Sequence, residues 1–180
     1  MLVVLLGGAR SGKSALASVL ARDEAAPVTF IATAVANDAE FARRIDAHRA
    51  LRPASWLTIE EPLELNGALQ RTDRARTVIV DCLTLWVANL LERGLDEERI
   101  VGSAASFAHE AERRPGLVIA VSNEVGSGIV PSHPLSRHFR DVLGRVNAVV
   151  SLAAGEAYLV VAGRMLALGH PSTSRSGSCR

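Results

Sequence analysis

The stretch LVVLLGGARSGKSALASVL, residues 2–20, decides how this chain folds. Leu2–Leu6 is a continuous apolar run of strand length, and Ala15, Leu16, Val19 and Leu20 recur at helical spacing. Between them Gly7-x4-Gly12-Lys13-Ser14 has the Walker A spacing, in the strand, loop, helix context that gives the motif its meaning. The glycines let the backbone curl so that successive N–H groups face one point, and the helix N-terminus adds its positive end. Gly7, Gly8, Ala9, Arg10, Ser11, Gly12, Lys13 and Ser14 therefore form a candidate cradle for the phosphates of ATP or GTP. Lys13 would place a compact ammonium between the β- and γ-phosphates, and the Ser14 hydroxyl would ligate Mg²⁺. All but one of the twenty basic residues are arginine, and the exception is Lys13, which points to a chemical requirement there.

Outward from this loop, apolar runs alternate with helical patterns. Strands are expected at Val28–Ala32, Trp56–Ile59, Thr77–Asp81, Leu117–Ser122 and Ala157–Val161, with the last closing the series. Helices are expected over Asp38–Arg52, Leu63–Arg71, Leu83–Leu91, Ile100–Arg113 and Leu135–Leu152. Thr77–Asp81 and Leu117–Ser122 are apolar on both faces, as central parallel strands are. The reading is an α/β P-loop NTPase of RecA-like type, with a mostly parallel central sheet and helices on both faces. A single domain over 1–169 and a disordered tail over 170–180 complete it.

Composition narrows the function classes. Twenty basic against nineteen acidic residues give a net charge of +1, so no global field marks a nucleic-acid binder. No apolar run approaches the roughly 18 residues of a membrane span. Two cysteines, Cys82 and Cys179, do not make a disulfide framework, and a reducing cytoplasm is the expected location.

A Walker loop calls for an acidic residue at the end of a nearby core strand to hold magnesium, and Asp81 fits. Its competing reading is an N-cap for the helix at Leu83. Asn123 and Glu124 end the next core strand in the same way. The segment Asp38–Arg52 sets Glu40, Arg44 and His48 on one helical face, and Arg44, Arg49 and Arg52 crowd His48 with cations, which suits a triphosphate. Spacing alone names no reaction.

Seven segments in order resemble a known family: GGARSGKS at Gly7–Ser14, IAT at Ile31–Thr33, RIDAHRALRP at Arg44–Pro53, W-x-T-x-E at Trp56–Glu60, DCLTLWVANLL at Asp81–Leu91, SNEVGSGIVP at Ser122–Pro131 and RHFRDVLGRVN at Arg137–Asn147. The family is the bifunctional adenosylcobinamide kinase / adenosylcobinamide-phosphate guanylyltransferase family of cobalamin biosynthesis. The resemblance implies a histidine nucleophile at the position of His48, which takes GMP from GTP. It also implies nucleotide contacts from the phosphate loop, from Thr33, Ala34 and Val35, from Arg49, Ala50, Leu51 and Arg52, and from Glu60 and Asp81. It implies adenosylcobinamide as the acceptor and a homotrimer as the assembly. Two positions depart from the pattern: residue 47 is alanine where some members carry histidine, and residue 81 is aspartate where others carry glutamate. Arg137, His138 and Arg140 are candidates for a corrinoid phosphate. Two other readings stay open: a P-loop small-molecule kinase without nucleotidyl transfer, and a nucleotide-binding module whose output is conformational.

Overall fold

The computed structural model describes residues 1–36 and 38–170, so the tail expected over 170–180 lies, but for His170, outside the described residues. Six parallel strands and one antiparallel edge strand form a single sheet: β1 (Leu2–Gly7), β2 (Val28–Ala32), β3 (Leu57–Glu60), β4 (Thr77–Asp81), β5 (Val118–Asn123), β6 (Glu156–Val161) and β7 (Arg164–Ala167). Their spatial order is β3-β2-β4-β5-β1-β6-β7. The registers Ala32↔Asp81, Ala32↔Glu60 and Gly7↔Asn123 bring the carboxyl ends of five strands to one edge. In open α/β sheets that edge is where ligands bind.

The intervening helices are α1 (Lys13–Asp23), α2 (Ala39–Ala50), α3 (Leu65–Arg71), α4 (Leu83–Glu92), α5 (Glu97–Glu112) and α6 (Pro134–Ala153). Leu2, Val4 and Leu6 of β1 face a large core shared with α3, α4, α5 and α6, whereas Val3 and Leu5 face a smaller core shared with Ala17 and Ala21 of α1. Helices cover both faces as expected, but unequally. α2 belongs to neither layer, and none of its residues is buried. It is held as a helix by its ends: the Asp38 side chain accepts from the Phe41 N–H at 2.7 Å, with Glu40 in the first turn and His48 and Arg49 in the last.

The last strand was not anticipated. β7 is antiparallel to β6 and returns through Ala162 (φ 51°) and Gly163 (φ 75°), a two-residue turn with both φ values positive. All four β7 residues are exposed, so no alternation marks them in the sequence.

Candidate active site

The phosphate loop leaves β1 at Gly7 and enters α1 through Gly12, whose φ of 103° is open to glycine and unfavourable for residues with a Cβ. A Cβ on Gly7 would sit 2.3 Å from the Val160 carbonyl oxygen, so that position also needs glycine. Arg10 at φ 58° completes the curl. The turn of the β6–β7 hairpin braces it, because the Gly163 N–H donates to the Ser11 carbonyl at 2.8 Å.

Lys13 is buried, and its Nζ donates to the Gly7 and Gly8 carbonyls at 2.9 and 2.6 Å. Burial lowers its pKa, against the opposing pull of Cys82 and Asp81. Asp81 closes β4 beside it. Burial pushes the Asp81 carboxyl up, while a hydrogen bond with Ser14 and the charges of His48, Arg52 and Lys13 pull it down. One carboxylate therefore senses the loop hydroxyl, the loop lysine and two residues from the α2 end of the chain. Ser14 beside Asp81 brings together two protein oxygens that would hold a P-loop magnesium. The residues present fit that ion.

α2 carries His48 in its last turn, exposed. Arg49 forms an ion pair with Glu60 at the end of β3 and lies 3.6 Å from Asp46. Arg52 follows the helix and stacks its guanidinium 3.8 Å over the Phe30 ring. Ala50 and Leu51 are exposed in between.

The Thr33 hydroxyl is engaged within the protein. Its hydroxyl donates to the Cys82 carbonyl at 2.7 Å and accepts from the Cys82 N–H at 2.8 Å. Its own N–H donates to the Asp81 carbonyl, and its carbonyl accepts from Asn89. Thr33 thus fixes Asp81 and the Ala34–Val35 segment, and those two neighbours are more accessible. Asn89 also donates to the Pro62 carbonyl at 3.1 Å, tying the β2 and β3 exits together beside a cleft of about 230 Å³ lined by Val35, Pro62, Leu63, Asn89, Glu92 and Arg93. A cleft of about 280 Å³ around Trp56, Arg22 and Val28 lies at the opposite, amino end of β2 and β3 and adds nothing here.

Sequence reasoning missed a buried polar network behind the loop edge. The Ser122 hydroxyl donates to Asn147 Oδ1 at 2.6 Å, Asn147 Nδ2 donates to the Asn123 carbonyl at 3.0 Å, and the Asn123 N–H donates to the Thr84 hydroxyl at 2.7 Å. The Glu124 side chain accepts from the Ser127 N–H at 3.1 Å, and Arg137 donates to the Pro131 carbonyl at 3.0 Å. Both therefore shape the loop after β5. The missed signal was a run of small polar residues at the ends of apolar elements, which spacing does not distinguish from caps.

A phosphate loop at the carboxyl edge of a parallel sheet, with an acidic β4 terminus against its serine, defines a P-loop nucleotide-binding protein. An ATPase, EscN of the enteropathogenic E. coli type III secretion system, shares this fold at TM-score 0.57 and 13% identity, over 89% of this chain and 43% of its own. Another solved structure, of a prototypical ATPase from the type III secretion system of pathogenic bacteria, matches at TM-score 0.52 and 12% identity, over 88% of this chain and 50% of its own. The chain thus spans half or less of the ATPase in each of those structures, and the likeness concerns fold alone. The family described as cobinamide kinase / cobinamide phosphate guanyltransferase matches residues 3–168, and this chain belongs to it. The bifunctional adenosylcobalamin biosynthesis protein CobP of Pseudomonas aeruginosa is 44% identical, covering 93% of this chain and 98% of its own. CobU of Escherichia coli K12, with the same bifunctional description, is 40% identical over 91% and 97%. Both activities stand in the family's description, so the kinase-only reading is not favoured.

Proposed function

We propose that this chain, acting through one domain over residues 1–169, phosphorylates adenosylcobinamide with ATP or GTP and then transfers GMP from GTP to the product, giving adenosylcobinamide-GDP. The observation that carries the reading is the single constellation around Asp81, where the phosphate loop and the end of the His48 helix meet. In the first reaction the corrinoid hydroxyl oxygen attacks the γ-phosphorus and the nucleoside diphosphate leaves. The loop N–H groups and Lys13 stabilise the charge that builds on the transferring group. Ser14 and Asp81 would hold Mg²⁺, which when bound offsets phosphate charge.

In the second reaction a ring nitrogen of His48 attacks the α-phosphorus of GTP. The bond from that phosphorus to the bridging oxygen breaks, and pyrophosphate leaves with the electron pair. A phosphate oxygen of adenosylcobinamide phosphate then attacks the same phosphorus, the P–N bond breaks, and the imidazole is regenerated. Dividing the exchange spares two anions a direct encounter. Arg49, Arg52, Glu60, Ala34 and Val35 surround the nucleotide, with Ala50 and Leu51 at its rim, and Thr33 acts from behind. The enzyme works in the cytoplasm as a homotrimer, the assembly that the family resemblance implies, and the exposed Ile129, Val130 and Leu135 (98%, 61% and 72%) offer an apolar surface for a neighbouring subunit to cover.

The test is incubation with α-labelled GTP and Mg²⁺. The protein should carry an acid-labile, base-stable label, as a phosphoramidate does, and His48→Ala should abolish it. Wild-type protein that phosphorylates adenosylcobinamide yet takes no label would sink the guanylyl-transfer assignment.

A further inference from the structure

We infer that Phe30 is a positioning residue for guanylyl transfer: its ring is the platform on which Arg52 seats the end of the helix that carries His48. The inference rests on the reading of His48 as the nucleophile. α2 has no fully buried residue, with Phe41 and Ile45 only half-buried, so packing of the helix body constrains His48 weakly. What remains is its carboxyl end. The Arg49 pair with Glu60 joins side chains that are 51% and 59% exposed, a geometry that water competes for. Arg52, one helical turn beyond His48, is held more firmly, with its guanidinium 3.8 Å over the Phe30 ring.

Phe30 can serve as a platform because it cannot move. It is 3% exposed, lies in β2 between Thr58 of β3 and Ile79 of β4, and packs in the core under α1. The ring therefore transmits the position of the sheet to the end of α2. Arg52 also lies near the end of β4, where it and Asp81 sense each other's charge. An arginine clamped by its flat face keeps the N–H groups of its edge for a phosphate oxygen. Nothing else on β2 has this arrangement: Thr29 is bound by Arg76, and the Thr33 hydroxyl that follows the strand is used on Cys82.

The experiment follows label transfer from α-labelled GTP to the protein in a single turnover, at saturating GTP, beside steady-state phosphorylation of adenosylcobinamide. Phe30→Leu should slow labelling by roughly 10- to 100-fold, the scale on which small displacements of a reacting group act, with phosphorylation little changed. Phe30→Tyr keeps the ring face and should label nearly as wild type. Phe30→Leu combined with Arg52→Met should label no more slowly than Arg52→Met alone, because Phe30 acts through Arg52. Additive losses in the double variant, equal losses of both activities, or wild-type labelling by Phe30→Leu would overturn the inference. Should Phe30→Leu fail to fold, Arg52→Lys, which keeps the charge and loses the planar face, takes its place and should label slowly. Wild-type labelling by Arg52→Lys would overturn it too. Wild-type protein that takes no label removes the His48 reading itself, whereas labelled wild type with equally fast variants removes only the role of Phe30.

Discussion

Lys13 is held on the carbonyls of Gly7 and Gly8, so the loop keeps its own cation where phosphate would otherwise draw it. The ammonium exchanges two neutral acceptors for anionic oxygens when a triphosphate arrives, and charge-assisted bonds are the stronger ones. Lys13→Ala should lower phosphorylation of adenosylcobinamide by about 10²–10³-fold, the cost of removing one stabiliser of transition-state charge. Steady-state turnover measures it, and unchanged turnover would place the kinase site elsewhere. Asp81 makes the opposite compromise. Burial raises its pKa, so the folded protein binds that proton more tightly than the unfolded chain does. The contribution is full below the ordinary carboxylate range and is lost as pH rises through the raised folded value. Asp81→Asn should therefore melt above wild type near neutral pH, with the gain shrinking toward about pH 4 and both activities reduced. Melting curves across pH check the sign. At this scale the sequence was informative where chemistry demands one residue type: the lone lysine and the acidic strand end were both legible. The bonds of the Thr33 hydroxyl to the Cys82 backbone were not, because nothing in a motif marks a threonine that bonds to backbone.

At the scale of elements, α2 is the exception to how the other helices are kept. Helices in proteins owe most of their stability to an apolar face packed on neighbours, and α2 buries no residue. Its caps matter correspondingly more. Asp38→Ala should cost about 1 kcal/mol of local helix stability. Because α2 lies outside both cores, the loss should appear as faster amide exchange over residues 39–50 and slower labelling from GTP, with the global Tm barely moved. A drop in Tm without faster exchange in α2 would show that the helix is coupled to the core after all. The helix itself was legible, since the segment Asp38–Arg52 sets Glu40, Arg44 and His48 at helical spacing, and it forms over Ala39–Ala50. Its weak burial was not legible, since Phe41 and Ile45 are only half-buried in the fold. The hairpin ending in β7 was invisible for a related reason. Exposed Arg164–Ala167 has no inward positions to alternate, and Ala162–Gly163 is a weaker turn signal than Asn-Gly. Yet its Gly163 N–H braces Ser11 in the phosphate loop.

Across the whole molecule the parallel sheet was legible because its strands are buried on both faces and so read as unbroken apolar runs. The order β3-β2-β4-β5-β1-β6-β7 was not, since strand order follows from crossovers that leave no mark on composition. Nor was the unequal cover of the two faces. Four helices share the larger core, α1 alone supplies the smaller one, and α2 projects with Phe41 and Ile45 only half-buried. Ile129, Val130 and Leu135 stand out from the loop after β5 and the start of α6, more apolar exposure in one region than scattered surface residues produce. In the proposed trimer a neighbouring subunit would cover such surface, and a charge there would oppose the contact without touching the core of its own subunit. Ile129→Asp combined with Val130→Asp should therefore sediment as a monomer at a concentration where wild type is trimeric, while its far-ultraviolet dichroism stays that of the folded chain. Phosphorylation that survives in this monomer would show that one subunit completes the kinase site. Wild-type protein that sediments as a monomer would reject the trimer and leave the exposed loop for a ligand or another partner to cover.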